Sequence, residues 1–225
     1  GKESIGDVAK VLSRYVDAVM IRMHDHEELQ KFMSHATVPV INGLTSYEHP
    51  CQILSDLLTI KEHKGKLKGL HLVYFGDSFN NVTHSLILAA AIMGMDITIV
   101  CPKKKSYSPD PKIIKQAKKL GKIKIVVTNK KEACKGADII YTDSWISYRI
   151  PKSERKKHAS NLKNCQVTKQ VMKLAPKAMF MHDLPALRGM EVTKDVIDGK
   201  QSVVFDQAEN RLHMQKAILL KLLSS

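Results

Sequence analysis

Short β-branched apolar runs alternate with amphipathic stretches along the whole chain. "DAVMIR" and "VPVI" near the start read as strands, as do "GLHLVYFGD", "DITIVCP", "KIKIVVT", "ADIIYTD", "KAMFMHD" and "SVVFD" further on. Helical periodicity fills 50–63, 81–94, 111–120 and 167–174, and a last helix runs from about Gln207 to Leu223. Such alternation predicts an α/β fold, a parallel sheet covered by helices on both faces. The stretch 66–206 carries six of the strands and predicts one complete doubly wound, Rossmann-like domain. Residues 1–49 carry only two, too few to enclose a core, and read as the C-terminal part of a further α/β domain. Residues 50–65 then form an interdomain helix, and 207–225 a terminal helix packing back on the first domain. No internal repeat, low-complexity stretch or long linker interrupts this plan.

Composition narrows the class. With 44% hydrophobic and 26% charged residues, the 225-residue chain has the makeup of a soluble globular protein with a sizeable core. No apolar run approaches the ~18–20 residues of a membrane helix, and "GKESIGDVAK" has no signal-peptide core. Cys51, Cys101, Cys134 and Cys165 lie far apart with no CxxC pair, against zinc or a disulfide framework and in keeping with the reducing cytoplasm. The formal charge of +14 comes mostly from lysines between Lys103 and Lys163, so nucleic acid is the first partner to weigh. Aromatic residues at 5%, scarce arginine and no recognition motif argue against it. A solvated lysine surface that draws small anions toward a cleft fits better.

Candidate chemistry sits at the strand ends, where open parallel sheets bind their ligands. One strand ends at Arg22 before "MHDH", another at Asp77 before "SFNN", another at Asp143 before "SWIS", and "MFM" ends at His182-Asp183 in "MHDLPALRG". A further polar cluster, "DQAENR", precedes the last helix. Alone, "MHDLPALRG" reads as a loop whose His182 and Asp183 pair with each other; five polar ends together make a site. Arg22 and Arg211 have the fork geometry to clamp a phosphate or carboxylate. Asp77, Asp143, Asn80 and Asn81 suit an ammonium and an amide. His49, opening the helix at 50, is placed to donate to a carbonyl oxygen on which charge develops, although a capping or core role is the plainer reading of one histidine. No GxGxxG follows "VYFGD", no GxxxxGK[ST] occurs, and no metal-ligand cluster appears, so no cofactor or metal is expected.

"LSRYVDAVMIR", "ATVPVINGLTSYEHPCQILSDLLTIKEH", "ADIIYTDSWIS" and "GMEVTKDVIDGKQSVVFDQAENRLHMQKAILLKLL" occur in the order in which similar segments occur in ornithine carbamoyltransferases. "HPCQ" resembles that family's HPxQ, and "DQAENR" its acidic-Asn-Arg element. The resemblance runs from Gly1 to Leu223. It implies that 1–49 belong to a carbamoyl-phosphate-binding domain and 66–206 to an ornithine-binding domain. The implied reaction is attack of ornithine's δ-amine on carbamoyl phosphate, giving citrulline and phosphate. By position, Arg22, His49, Gln52 and Arg211 would hold carbamoyl phosphate, with His49, Arg211 and Asp183 catalytic. Asn80 or Asn81, Asp143, Ser147, Tyr148 and Leu184 would hold ornithine. A cytoplasmic homo-oligomer, a trimer or a multiple of trimers, is the implied assembly.

Four departures accompany the resemblance. Asp183 stands where the family has the cysteine of HCLP, which contacts the reacting amine. An ionised Asp183 would attract ornithine's ammonium form, disfavour the neutral nucleophile and repel the carbamoyl oxygens. Ser147-Tyr148-Arg149 replaces SMG, and "GDSFNN" is one residue longer than GDGNN. The SxRTR phosphate motif, which precedes the segment matching Gly1, does not occur in the sequence. Two expectations follow: a carbamoyltransferase, or a non-catalytic relative that binds an amino acid or a partner.

Overall fold

Parallel strands form two separate sheets in the computed structural model, which describes residues 3–146 and 150–224. The smaller sheet pairs β1 (Val19–Arg22) with β2 (Val40–Leu44), flanked by α1 (Ile5–Leu12) and α2 (His26–His35). Both helices carry side-chain caps. Ser4 accepts from the Asp7 N–H at 3.1 Å, and one Asp25 oxygen accepts from the Glu27 and Glu28 N–H groups, each contact of a kind worth ~1 kcal/mol. The larger sheet runs in the order β5 (Ile125–Thr128), β4 (Asp96–Val100), β3 (His71–Phe75), β6 (Ile139–Thr142), β7 (Met179–Met181).

Period-two alternation divides the larger core. Leu72, Tyr74, Ile97, Ile99, Ile139, Tyr141, Met179 and Met181 face α3 (Pro50–Lys64), α4 (Asn81–Met93) and α5 (Pro111–Leu120). Val73, Phe75, Val100, Ile140 and Phe180 face the other way, toward α7 (Lys169–Leu174) and α8 (Lys194–Ile197). The sheet is therefore doubly wound, as the sequence pattern predicts. Every one of these side chains is at most 5% exposed, which is why both strand faces read as continuous apolar runs. The remaining helices are α6 (Arg155–Leu162) and α9 (Val204–Leu223), and α9 packs along α3.

One expected strand is absent. "SVVFD" contributes a single bridge, Ser202 to Phe180, and the Val203 N–H donates to the Phe180 carbonyl at 3.0 Å. The chain then turns directly into α9, so the larger sheet has five strands rather than six. Two adjacent valines suggest a strand, but the helix formers that follow extend α9 backward over Val204–Asp206.

The order of strands sets the site. Crossovers run outward from β3 to β4 and β5, then return to β6 on the opposite side, so the chain reverses direction between β3 and β6. Their carboxyl ends lead into Gly76–Asn81 and Asp143, the crevice in which this architecture binds ligands.

Candidate active site

The smaller sheet delivers one half of the site. Strands β1 and β2 pair as Ile21 with Asn42 and then Arg22 with Leu44, so Gly43 is bulged out between them. That bulge brings Arg22 and Gly43 to the wall of a cavity of about 360 Å³. After β2 the chain makes a tight loop, the Thr45 N–H donating to the Glu48 carbonyl at 2.8 Å, and reaches His49. Helix α4 grips this loop at three points. Asn81 Nδ2 donates to the Thr45 carbonyl at 2.8 Å, His84 Nδ1 lies 3.0 Å from the Tyr47 carbonyl, and the His49 N–H donates to Ser85 Oγ at 2.9 Å. Positions 81, 84 and 85 share one helical face, which is why one helix can hold three successive parts of the loop.

His49 precedes Pro50, the first residue of α3, and its side chain makes no capping bond. The histidine lines the cavity instead, with Gln52 and Cys51 from the first turn of α3 and Arg211 from α9. Arg22, His49 with Gln52, and Arg211, which come from three distant stretches of the sequence, thus meet on one cavity. Burial first, then the Arg22 and Arg211 charges, push the His49 imidazole down to about 4. It is accordingly neutral at physiological pH, a hydrogen-bonding group rather than a cation. His49 Nδ1, Gln52 Oε1 and Asn42 Oδ1 are buried without a hydrogen-bond partner among the described residues. Buried polar atoms left in this state are expensive. Two of the three belong to cavity-lining side chains, so the cavity suits a small anion that also carries polar groups.

The carboxyl edge of the larger sheet supplies the other half. Adjacent strands β6 and β7 pair Tyr141 with Met181, and two residues on in each chain stand Asp143 and Asp183. Burial first, and then the Asp143 charge, push Asp183 well above the usual carboxylate range. That direction favours the protonated acid over the ionised Asp183 considered from the sequence, because like charges on neighbouring carboxylates oppose double ionisation.

Behind this pair, His182 is buried, its Nδ1 accepting from the Leu184 N–H at 2.9 Å and its Nε2 lying 3.4 Å from Glu191 Oε1. The accepting Nδ1 leaves the proton on Nε2, facing Glu191. Leu184 sits at φ 56°, a left-handed conformation that costs a leucine ~1–2 kcal/mol and is held by this contact.

Asn80 and Asn81 hold the turn after β3. Asn80 caps α4, its Oδ1 accepting from the Thr83 N–H at 2.7 Å and its Nδ2 donating to Tyr74 Oη and the Asp77 carbonyl. Asn81 bonds the Thr45 carbonyl and accepts from the Val82 N–H. Both amides thus make structural bonds at the very place where a ligand group would be held. Ser147 and Tyr148, named with them, lie outside the described residues. Gly76 opens the turn at φ 139°, and a Cβ there would meet Trp145 Nε1 at 3.4 Å.

Ser85, Glu191 and Asp56 escape a reading of the sequence, though Asp56, four residues after Gln52 on one helix, left a signal in its spacing. Among the described residues no group of three or more His, Cys, Asp and Glu side chains is arranged to hold a metal ion, and no helix is long and apolar enough to cross a membrane.

Comparison with known proteins places both halves of the chain in one family. Residues 68–222 match the family model of the aspartate/ornithine carbamoyltransferase Asp/Orn binding domain. Residues 1–62 match the model of the carbamoyl-P binding domain of the same family. The ornithine carbamoyltransferase of Archaeoglobus fulgidus is 49% identical over 98% of this chain and 71% of its own length. The anabolic ornithine carbamoyltransferase of Pyrococcus furiosus is 49% identical over 96% of this chain and 69% of its own length. Among solved structures, ornithine carbamoyltransferase from Pyrococcus furiosus superposes with a TM-score of 0.93 at 46% identity, covering 100% of this chain and 72% of its own. The Thermus thermophilus enzyme gives 0.86 at 39% identity, covering 99% and 72%. With both halves matched and this degree of identity, the chain belongs to the aspartate/ornithine carbamoyltransferase family.

Proposed function

We propose that this protein is an ornithine carbamoyltransferase, moving the carbamoyl group of carbamoyl phosphate to the δ-amine of ornithine and releasing citrulline and phosphate. The observation that carries the reading is the convergence of Arg22, His49, Gln52 and Arg211 on one cavity. Arg22 and Arg211 hold the phosphate, their fixed forks matching its oxygens. The positive end of α3 adds to the same attraction. Neutral His49 donates to the carbamoyl oxygen, where negative charge grows as the amine attacks. A preorganised donor in a water-poor place stabilises that charge. Gln52 accepts from the carbamoyl NH₂ through its unpartnered Oε1.

The acceptor lies along the β3–β6–β7 edge, its α-amino and carboxylate groups held from the Asn80–Asn81 turn, Asp143, Ser147 and Tyr148. Leu184, next to Asp183 at the same edge, completes the contacts to the acceptor. Asp183 faces the reacting amine: it gives up its proton when ornithine's ammonium group binds, and the carboxylate so formed takes the ammonium proton as the amine attacks. Both substrates are bound side by side, so the rate arises from proximity and electrostatic stabilisation without a covalent intermediate. Tyr15, 76% exposed, and the neighbouring Val11 and Val16 leave an apolar face on the first lobe, which supports a homo-oligomer, a trimer or a multiple of trimers. Four free cysteines support a cytoplasmic setting.

The test is direct. Full-length protein given carbamoyl phosphate with ornithine, aspartate or putrescine in turn should form product with ornithine. Turnover with another acceptor alone, or with none, would contradict the reading.

A further inference from the structure

Gln52 is 1% exposed, yet only one end of its amide has a partner. Its Nε2 donates to Asp56 Oδ1 at 2.9 Å, one helical turn on, while its Oε1 lines the cavity unpaired. Which end of a glutamine faces a ligand decides what the ligand must offer, an N–H donor or an acceptor. The orientation here is fixed by the partner, and the partner is itself fixed. Asp56 is fully buried and receives two further donors, Gln207 Nε2 at 2.7 Å on Oδ1 and Tyr141 Oη at 2.9 Å on Oδ2. Gln207 has no freedom to turn, because its Oε1 already accepts the His182 backbone N–H at 2.9 Å. Each side-chain donor of the network thus reaches Asp56, Gln207 Nε2 also donating to Tyr141 Oη at 3.2 Å, and among the described residues the oxygen of the network left without a partner is that of Gln52.

We infer that Asp56, which touches neither substrate, is the positioning residue that sets donor specificity, by holding Gln52 so that its carbonyl oxygen faces the cavity and demands an N–H on the bound acyl group. The inference rests on the proposed function for the identity of that ligand, a phosphate carrying a carbamoyl NH₂. It explains how the cavity tells carbamoyl phosphate from acetyl phosphate, which has the same phosphate, the same carbonyl and nearly the same shape, with a methyl in place of NH₂. Acetyl phosphate leaves Gln52 Oε1 buried and unsatisfied; carbamoyl phosphate satisfies it. Sites with buried polar groups reject such analogues more strongly than apolar sites do. Charged groups acting on Asp56 from other elements are Arg211 and, through its own carboxyl, Asp183. Both act equally with either acyl phosphate and cancel in a ratio of affinities.

The experiment is a calorimetric titration of full-length protein with carbamoyl phosphate and with acetyl phosphate, reading the ratio of the two dissociation constants. Wild type should prefer carbamoyl phosphate by about tenfold or more, the cost of one buried acceptor left unmet. In Asp56→Leu, similar in volume but unable to accept, Gln52 is released and the ratio should fall toward one. In Asp56→Asn the amide oxygen takes the Oδ1 position, keeps both glutamine donors and retains most of the preference. A role in stability or charge alone would instead damage the asparagine variant and leave the ratio of either variant unchanged. An undiminished preference in the leucine variant overturns the inference while leaving the proposed function standing. If wild type binds neither acyl phosphate, the proposed function itself fails. Should the leucine variant not fold, the side-chain amide of Gln52 in selectively labelled wild type gives the answer. Slow exchange of its protons with or without carbamoyl phosphate is the expected result. Fast exchange that slows only when carbamoyl phosphate is added would turn the NH₂ toward the ligand and overturn the inference.

Discussion

The two halves of the site solve opposite electrostatic problems. Around the cavity at β1, β2 and α3, two arginines surround a buried histidine, and their charge helps hold that histidine neutral at about 4. Along the carboxyl edge of β6 and β7, burial and the neighbouring Asp143 push Asp183 well above the usual carboxylate range. The cationic half is arranged for an anion and the acidic half for an amine. In each, burial and a neighbouring charge work against the ionised form of one group. A neutral hydrogen-bonding group serves better than an ion where charge has to develop during the reaction rather than before it.

The sharpest way to break this comparison is at His49. His49→Ala leaves the arginines in place and removes the donor at the carbamoyl oxygen, so kcat should fall ~10²–10³-fold with carbamoyl phosphate still bound. Steady-state kinetics check it, and an unchanged kcat would remove His49 from the reaction. On the acidic side, an amine that binds as a cation releases the Asp183 proton. The KM for ornithine should then fall as pH rises, by up to about tenfold per pH unit for one proton released. Asp183→Cys should flatten that dependence, and identical pH profiles in the two proteins would dissociate Asp183 from the acceptor.

A smaller effect sharpens the electrostatics within the first half. Asp56, pushed up from 3.8 to about 6 by burial, contributes stability that is fully present below about pH 4 and lost as pH rises through 6. His49, lowered from 6.5 to about 4, acts in the other direction: its neutral form fits, and stability is lost as pH falls from 6.5 through 4. Each amounts to about 3 kcal/mol at 1.36 kcal/mol per pKa unit, so the two nearly cancel in wild type. His49→Asn should therefore lose stability between pH 4 and 6, and Asp56→Asn should gain it, in denaturant melts across that range. Matching slopes in the two variants would contradict the assignment. Ser85→Ala leaves the buried His49 N–H without its acceptor and should cost about 1–3 kcal/mol, read as a lower midpoint of unfolding.

The same contrast explains what was legible in the sequence. β-branched runs between helical periods gave away the parallel strands, and strand ends finishing in Arg22, Asp143 and His182-Asp183 marked the binding edge, because these are features of local order. Where a local signal misled, as at Val203 and Val204, the helix continuing from downstream decided the outcome. Asp56 and Ser85 were not legible because their meaning lies in partners far along the chain. Tyr141 is 85 residues from Asp56 and Gln207 is 151, while Ser85 reaches back 36 residues to His49. Likewise nothing in "MHDLPALRG" reveals that Asp183 is pushed up, since burial, the larger cause, and Asp143, just past the neighbouring strand, both come from the fold.

The central claim is that Arg22, His49, Gln52 and Arg211 form one site for carbamoyl phosphate. Calorimetric titration of carbamoyl phosphate into full-length wild type and into the Arg22→Ala/Arg211→Ala protein tests it most directly. The account predicts saturable binding to wild type and a loss of affinity of at least about a hundredfold in the double variant, from two charge-assisted contacts of ~1.5–3 kcal/mol each. Equal affinity in both proteins would contradict it.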